Sequence, residues 1–333
     1  MKHINVALFI PDEGCPHRCS FCNQKTISGF SKKPNQSDVE EAVETALSSG
    51  RETSDGEIAF FGGSFTAIER SYMISLLEKA KEYIDKGLFR GIRISTRPDC
   101  ITEEILCILK AYGVTSIELG CQSMDDEVLL LNNRGHSSKE IIEACNLIKD
   151  YGFELGVQMM TGLYGDTDEK AIETAKKLIA LYPDTARIYP TIVLENTELA
   201  RLYKAGIYKP QTLSQAVNLC SRLLLLFHEN NIKVIRLGLH SGGNVEDGYL
   251  AGAYHPAFRE LCESRIYLEK MLELLNDMPK GEYAFTVSKK YISQALGQKK
   301  QNVELLKEKG YNISFTTDES LNQYEIKLQG STR

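Results

Sequence analysis

The chain has no tryptophan, no long apolar run, no excess of positive charge and no second cluster of cysteines. Each absence closes a class of protein. Uninterrupted apolar stretches such as Leu223 to Phe227 are far short of the roughly 20 residues that a membrane-spanning helix needs. Met1-Lys2-His3 runs straight into a strand pattern, without the apolar core and small-residue cleavage site of a secretory leader. A cytoplasmic, membrane-free protein is the expectation. A formal net charge of −6 gives no overall electrostatic footprint for nucleic acid, although a local basic patch is hidden in such a sum. Neither an internal repeat nor a low-complexity segment is visible. What is left, 333 residues with 42% hydrophobic and 25% charged, is ordinary globular composition with room for one large α/β unit and a small appendage.

Nine cysteines are an odd number in a long chain, which argues for reduced thiols rather than a disulfide framework. Cys100, Cys107, Cys121, Cys145, Cys220 and Cys262 are scattered, mostly among apolar neighbours, and read as small buried hydrophobes. The other three crowd into Cys15-Pro16-His17-Arg18-Cys19-Ser20-Phe21-Cys22, directly after the apolar run Ile4 to Ile10. Clustered thiolates select zinc, copper(I) or iron–sulfur over oxygen-loving cations. Structural zinc wants four protein ligands, usually as two pairs; no second CxxC follows, and His17 lies between the first two thiols, where it cannot easily fold back onto the same ion. A 4Fe-4S cluster on three cysteines instead leaves one iron free to bind a small molecule. A metal-clipped binding module without turnover is the alternative.

Along the chain, apolar strand patterns alternate with helix patterns. Residues 3–10, 57–61, 91–96, 114–119, 153–160 and 184–193 read as strands, with a further one at 233–239. Helices are expected at 37–49, opened by the capping-box pattern Ser37-Asp38-Val39-Glu40, and at 71–87, 102–112, 125–131, 138–151, 168–181 and 213–230. This rhythm implies parallel βαβ units with right-handed crossovers, closing wholly or partly into a barrel whose chemistry sits on the loops after the strands. Gly62-Gly63-Ser64 ends the second strand, where paired glycines let a ligand approach the backbone. The expected division is a core barrel over 1–240, an extension with an irregular lid-like loop over 241–280, and a small α+β domain over 281–333. His240 and His255 stand in or beside the irregular stretch as residues that touch substrate or serve structure. Lys289, Lys290, Lys299 and Lys300 read as a solvated face, with RNA or a partner as the alternative.

The spacing C-x3-C-x2-C, with an aromatic residue before the last cysteine, resembles the signature of the radical S-adenosylmethionine (radical SAM) superfamily. Six further blocks resemble, in the same order, the radical SAM core of the Elongator catalytic subunit, a tRNA-modifying enzyme. They are Ser95 to Asp99, Ile117 to Ser123, Asn133 to His136, Met159 to Leu163, Arg187 to Thr191 and Gly206 to Pro210. The likeness spans roughly residues 5–270. Three departures stand out: the tighter Cys15 to Cys19 gap, Ser95 in place of a glutamate and Gln158 in place of a histidine. No acetyltransferase-like stretch follows.

The resemblance implies a partial TIM-type (β/α)6 radical SAM barrel, α/β in class. Its cofactors would be a 4Fe-4S cluster on Cys15, Cys19 and Cys22 and S-adenosylmethionine, which is cleaved reductively to a 5′-deoxyadenosyl radical that abstracts hydrogen from substrate. Gly62, Gly63, Ser64, Gln122, Arg134, Met160 and Gly162 would bind S-adenosylmethionine, and Arg97, Tyr189, His240 and His255 are candidates for substrate. No catalytic residue is assigned. A flavodoxin- or ferredoxin-like protein would supply the electron. Two substrate classes stay open, tRNA and a small metabolite. A single cysteine cluster counts against sulfur insertion.

Overall fold

The computed structural model describes residues 5–10, 15, 18–23, 26, 32–239 and 245–329. Seven parallel strands form one sheet in the order β1-β2-β3-β4-β5-β6-β8. They are β1 (Asn5–Phe9), β2 (Glu57–Phe61), β3 (Gly91–Thr96), β4 (Val114–Gln122), β5 (Glu154–Thr161), β6 (Thr185–Pro190) and β8 (Lys233–Leu237), and the sheet curls into a half-barrel. The connections carry helices α1 (Gln36–Ser48), α2 (Arg70–Asp85), α3 (Glu103–Ala111), α4 (Asp126–Leu131), α5 (Ser138–Asp150), α6 (Asp168–Ile179), α7 (Glu198–Lys204) and α8 (Leu213–Glu229). The α/β class is therefore as the pattern implied and the partial TIM-type barrel as the resemblance implied, but the sheet has seven strands rather than the six of a (β/α)6 barrel, the strand foreseen at 233–239 being the seventh.

Helix boundaries follow local chemistry. Asn35, Ser137 and Thr212 each accept a hydrogen bond from the first turn while the residue three positions on bonds back, which makes three complete capping boxes. The expected single strand over 184–193 is split. Pro190 has no N–H to continue the ladder, and β7 (Ile192–Leu194) turns away to pair antiparallel with β9 (Tyr249–Gly252). Part of the stretch expected to be irregular is thus strand, and 241–244 lie outside the described residues.

The two faces of the sheet differ. Helix-facing positions such as Leu8, Ile58, Phe60, Ile94, Ile117, Val157 and Ile188 are buried and apolar, each stabilising by about 1.5–3 kcal/mol over the exposed side chain. The alternate positions face the concave side and are small or polar: Ala7, Ala59, Arg93, Ser95, Glu118, Gly156, Gln158 and Arg187 among them. Small residues there keep room inside. A Cβ on Gly156 would lie 2.8 Å from Glu118 Cγ. Beyond β8, α9 (Phe258–Leu274) packs against α8, and β10 (Gly281–Val287), β11 (Tyr311–Thr317) and β12 (Ile326–Leu328) form a separate sheet in the order β11-β10-β12. One apolar core runs through both parts, from Val6 to Tyr324.

Candidate functional site

The cysteine loop follows the C-terminal end of β1 and is held from both sides. Ser20 donates its N–H to the Asn132 carbonyl at 3.1 Å and its hydroxyl to Asn132 Oδ1 at 2.7 Å, while its own carbonyl accepts the Leu199 N–H at 2.7 Å. Asn132 is in turn fixed by Nδ2 to the carbonyls of Val128 and Tyr164. Phe21 packs on the buried cluster of Val193, Leu199 and Tyr208. Asn132 was missed at the sequence level because it stands one residue outside the block that begins at Asn133. Its signal is the local one of an asparagine capping a short helix, as it follows α4.

Arg134 is the side chain that joins this loop to the barrel. It is 5% exposed. Nη1 donates to Cys19 Sγ at 3.0 Å and Nη2 to the Gly120 carbonyl at 2.5 Å. Its neighbours Asn133 and Gly135 both have left-handed backbone, φ +53° and +70°, so the turn that delivers it is tight. Arg97, buried after β3, binds Asp99 through Nε and Nη2 at 2.9 and 3.0 Å and the Arg134 carbonyl through Nη2. Arg97 is therefore largely spoken for by Asp99 and the Arg134 turn. Two guanidinium donors, Arg134 Nε and Arg97 Nη1, are buried with no partner.

The other expected residues divide. Gly62 and Gly63 have φ +83° and +56°, a reversal at the end of β2 that glycine enters without strain. Ser64 is fully buried and its hydroxyl meets Thr96 Oγ1 at 2.9 Å. Gln122 holds φ +65° at a bulge of β4, with Oε1 accepting from Gln158 Nε2 at 3.2 Å. Such strain in a non-glycine residue is characteristic of ligand-facing positions. Met160 and Tyr189 are in-register neighbours on β5 and β6 and share the concave face near its C-terminal end. Gly162 has both backbone groups engaged, its N–H by Asp166 Oδ2 at 2.9 Å and its carbonyl by Tyr208 OH at 2.6 Å. His255 accepts the Ala257 N–H in its own turn. His240 lies outside the described residues. Of the six scattered cysteines, four are buried as expected, whereas Cys100 is half-buried and Cys107 exposed.

The donor set suits an iron–sulfur cluster. Among the described residues no three acidic, histidine or cysteine side chains converge tightly enough to hold a metal ion, so the fit rests on chemistry. Cys15 opens to solvent on one side yet stands in crowded surroundings, and desolvation, with Cys19 adding to it, pushes its thiol up to about 11. A thiol held neutral in this way becomes a thiolate when a cationic metal core binds it. The orphaned donors of Arg134 and Arg97 suit a carboxylate beside that core.

Asp166, in the loop after β5, has a different state. Its Oδ1 is buried without a partner, and burial pushes the carboxyl up to about 7. It lines a cavity of about 370 Å³ with Gly162, Tyr208 and Gln211. Because the folded value lies above the ordinary one near 4, stability from the neutral carboxyl is complete at low pH and is lost as pH rises through about 7. Asp166→Asn keeps the acceptor for Gly162 and removes the charge. It is expected to flatten the pH dependence between about 4 and 7 and to gain on the order of 1 kcal/mol or more over wild type at pH 8, read from urea midpoints; parallel pH curves for the two proteins would show that this carboxyl is ionised throughout.

A half-barrel of parallel strands with a three-cysteine loop after its first strand defines the radical-generating α/β-barrel class. The profile of the radical SAM superfamily matches residues 9–178, and that of the Radical_SAM C-terminal domain matches residues 183–268. The chain belongs to the radical SAM superfamily and is an enzyme, with a 4Fe-4S cluster and S-adenosylmethionine as its cofactors. It is 30% identical over 257 residues to a tRNA uridine(34) acetyltransferase of Methanocaldococcus infernus, covering 65% of this chain and 48% of the relative. It is 33% identical over 204 residues to human Elongator complex protein 3, covering 55% and 37%. The chain thus spans less than half of the length of these curated relatives. The solved structure of archaeal M. infernus Elp3 with an N-terminal deletion superposes with a TM-score of 0.61 at 23% identity, over 83% of this chain and 65% of that one, which is a likeness of fold. No helix among the described residues is long and apolar enough to cross a membrane.

Proposed function

We propose that this enzyme abstracts hydrogen from a nucleoside in tRNA or a related RNA. The observation that carries the reading is the run of likeness to tRNA uridine(34) acetyltransferases and Elongator protein 3 across the barrel. When bound on Cys15, Cys19 and Cys22, the cluster supplies the electron that cleaves S-adenosylmethionine, and a flavodoxin- or ferredoxin-like protein is the donor that suits it. The chain's own residues bind and exclude. In this reading Gly62, Gly63 and Ser64 would meet the methionyl end of S-adenosylmethionine, Arg134 and Arg97 would offer donors to its carboxylate, and Gln122 and Met160 would frame the remainder. Tyr189 faces the substrate side of the barrel, and the walls of the barrel keep water from the reacting atoms. A small metabolite is the second reading, favoured by the net charge of −6.

The test is tRNA binding together with turnover. Total tRNA is expected to be retained with the protein on a filter, to lose at least about tenfold in affinity between 50 and 200 mM salt as released counterions require, and to raise 5′-deoxyadenosine formation above the uncoupled rate. No retention at low salt, with turnover stimulated only by a small-molecule fraction, would replace RNA with a metabolite.

A further inference from the structure

A cavity of about 790 Å³ is at the opposite end of the barrel from the cysteine loop. Its walls include the first residues of β1, β5, β6 and β8, namely Asn5, Glu154, Thr185 and Lys233, and the turn Gln323-Tyr324 that precedes β12. Such a volume holds a small organic ligand. Three polar atoms on this wall are buried with no hydrogen-bond partner: Asn5 Oδ1, Thr185 Oγ1 and Tyr324 OH. Buried polar groups are nearly always paired, so three around one cavity call for an explanation. Tyr324 is also held in a left-handed conformation, φ +64°, with its ring 4.9 Å from that of His228 and its N–H donated to the Tyr267 hydroxyl at 3.0 Å. Strain of this kind persists where the surroundings over-determine it, as at ligand clamps.

The charges on the wall indicate what fits. Arg90, Arg93 and Arg187 are matched by Glu57, Glu118 and Glu154. Arg259 spends Nε on Glu263 and Nη1 on the Val234 carbonyl. Lys233, in register with Thr185 on the neighbouring strand, has no carboxylate partner among the described residues. Asp184 is the opposing charge, and its Oδ2 is occupied by the Leu155 N–H at 2.8 Å. A cation beside a row of unpaired hydroxyl and amide oxygens suits an anion that also carries hydroxyl groups.

We propose that this cavity is a second ligand site, separate from the cofactor end, that takes a small anionic polyol with its phosphate or carboxylate at Lys233 and its hydroxyls on Thr185, Tyr324 and Asn5. A ligand there spans the barrel and the turn before β12, and so braces one against the other. Ribose 5-phosphate, gluconate, ribose and inorganic phosphate are the probes, titrated into the full chain by calorimetry and thermal shift. At least one of the first two is expected to bind and raise the melting midpoint, and which of them binds tells phosphate from carboxylate; neutral ribose and bare phosphate are expected to bind at least about tenfold more weakly. Lys233→Gln should weaken the binding probe about tenfold. Thr185→Val and Tyr324→Phe should weaken it as well, while leaving the unliganded midpoint unchanged or raised, because each removes an unpaired hydroxyl. No binding by either anionic polyol, or equal binding by the variants, would overturn the site. So would a lower unliganded midpoint in both hydroxyl variants, which would make those oxygens structural.

Discussion

Cys19→Ala is expected to abolish cluster loading and with it all formation of 5′-deoxyadenosine. Protein reconstituted anaerobically with iron and sulfide should carry about four irons per chain on three thiolates. Removing the middle sulfur leaves two ligands seven residues apart in sequence, Cys15 and Cys22, one short of the three thiolates that such a cluster needs. It also loosens the Arg134 guanidinium, whose Nη1 meets Cys19 Sγ at 3.0 Å and whose other hydrogen bond among the described residues is to the Gly120 carbonyl. Arg134→Met separates the two contributions. It should keep the iron and the near-ultraviolet and visible absorption of the cluster but raise the Kd for S-adenosylmethionine at least about tenfold, since the charge-assisted contact proposed for its carboxylate would be lost. Iron and zinc analysis with chromatography of the nucleoside products reads both variants. Stoichiometric zinc in the wild type and no deoxyadenosine would mean that the cysteine loop is a structural clip; full deoxyadenosine formation by Cys19→Ala would take the cluster off these three residues.

How much of this was legible depends on whether a residue's role is local in sequence. The cysteine loop and the Gly62-Gly63 turn are local, since each is a few adjacent residues whose chemistry follows from spacing, whereas the capping box expected from Ser37 is closed two residues earlier, by Asn35 with Asp38. The strand and helix rhythm is local too, and parallel βαβ units follow from it with their handedness, although the rhythm leaves open whether the barrel closes wholly or partly. What was not legible is what faces what. Arg97 and Arg134 are 37 residues apart, and only the fold shows that one guanidinium holds the carbonyl of the other while the second reaches a thiol on a third loop. The concave face was partly within reach. Arg93, Glu118, Gln158 and Arg187 each stand between apolar neighbours in strands, an alternation that marks one polar face. The general habit of parallel strands, buried on both faces and apolar throughout, obscures it. Pro190 likewise announces a break, yet the antiparallel partner that β7 finds in β9 is set by chain more than fifty residues further on.

That polar concave face makes the second large prediction, a loss of stability rather than of activity. Arg93 is 3% exposed and donates Nε to Glu57 at 2.6 Å, Nη1 to Glu118 at 3.2 Å and Nη2 to Glu154 at 2.7 Å. Glu57 is fully buried and takes further hydrogen bonds from Ser116 Oγ at 2.6 Å and Arg90 Nη2 at 2.8 Å. Arg93→Met keeps much of the side-chain volume but takes the most buried counter-charge from these carboxylates and leaves them only Arg90 and Arg187; breaking a buried pair costs up to about 3–5 kcal/mol. The pH dependence identifies the cause. Burial opposes ionisation of Glu57, but the charge of Arg93 and the hydrogen bonds around it outweigh that and hold the carboxyl down to about 2. Its contribution is therefore present above the ordinary carboxyl value near 4 and is lost as pH falls through about 2. Without Arg93 the carboxyl should titrate higher, so the acid limb of the stability curve should move up in pH. Adding Glu57→Gln to Arg93→Met should recover part of the loss near neutral pH, because the amide needs no counter-charge. Urea unfolding of the two variants and wild type from pH 3 to 8 tests this. A loss below about 1 kcal/mol in Arg93→Met, or no recovery in the double variant, would mean that shape rather than charge holds the concave face, and the matched arginines and glutamates would then be free to serve a ligand.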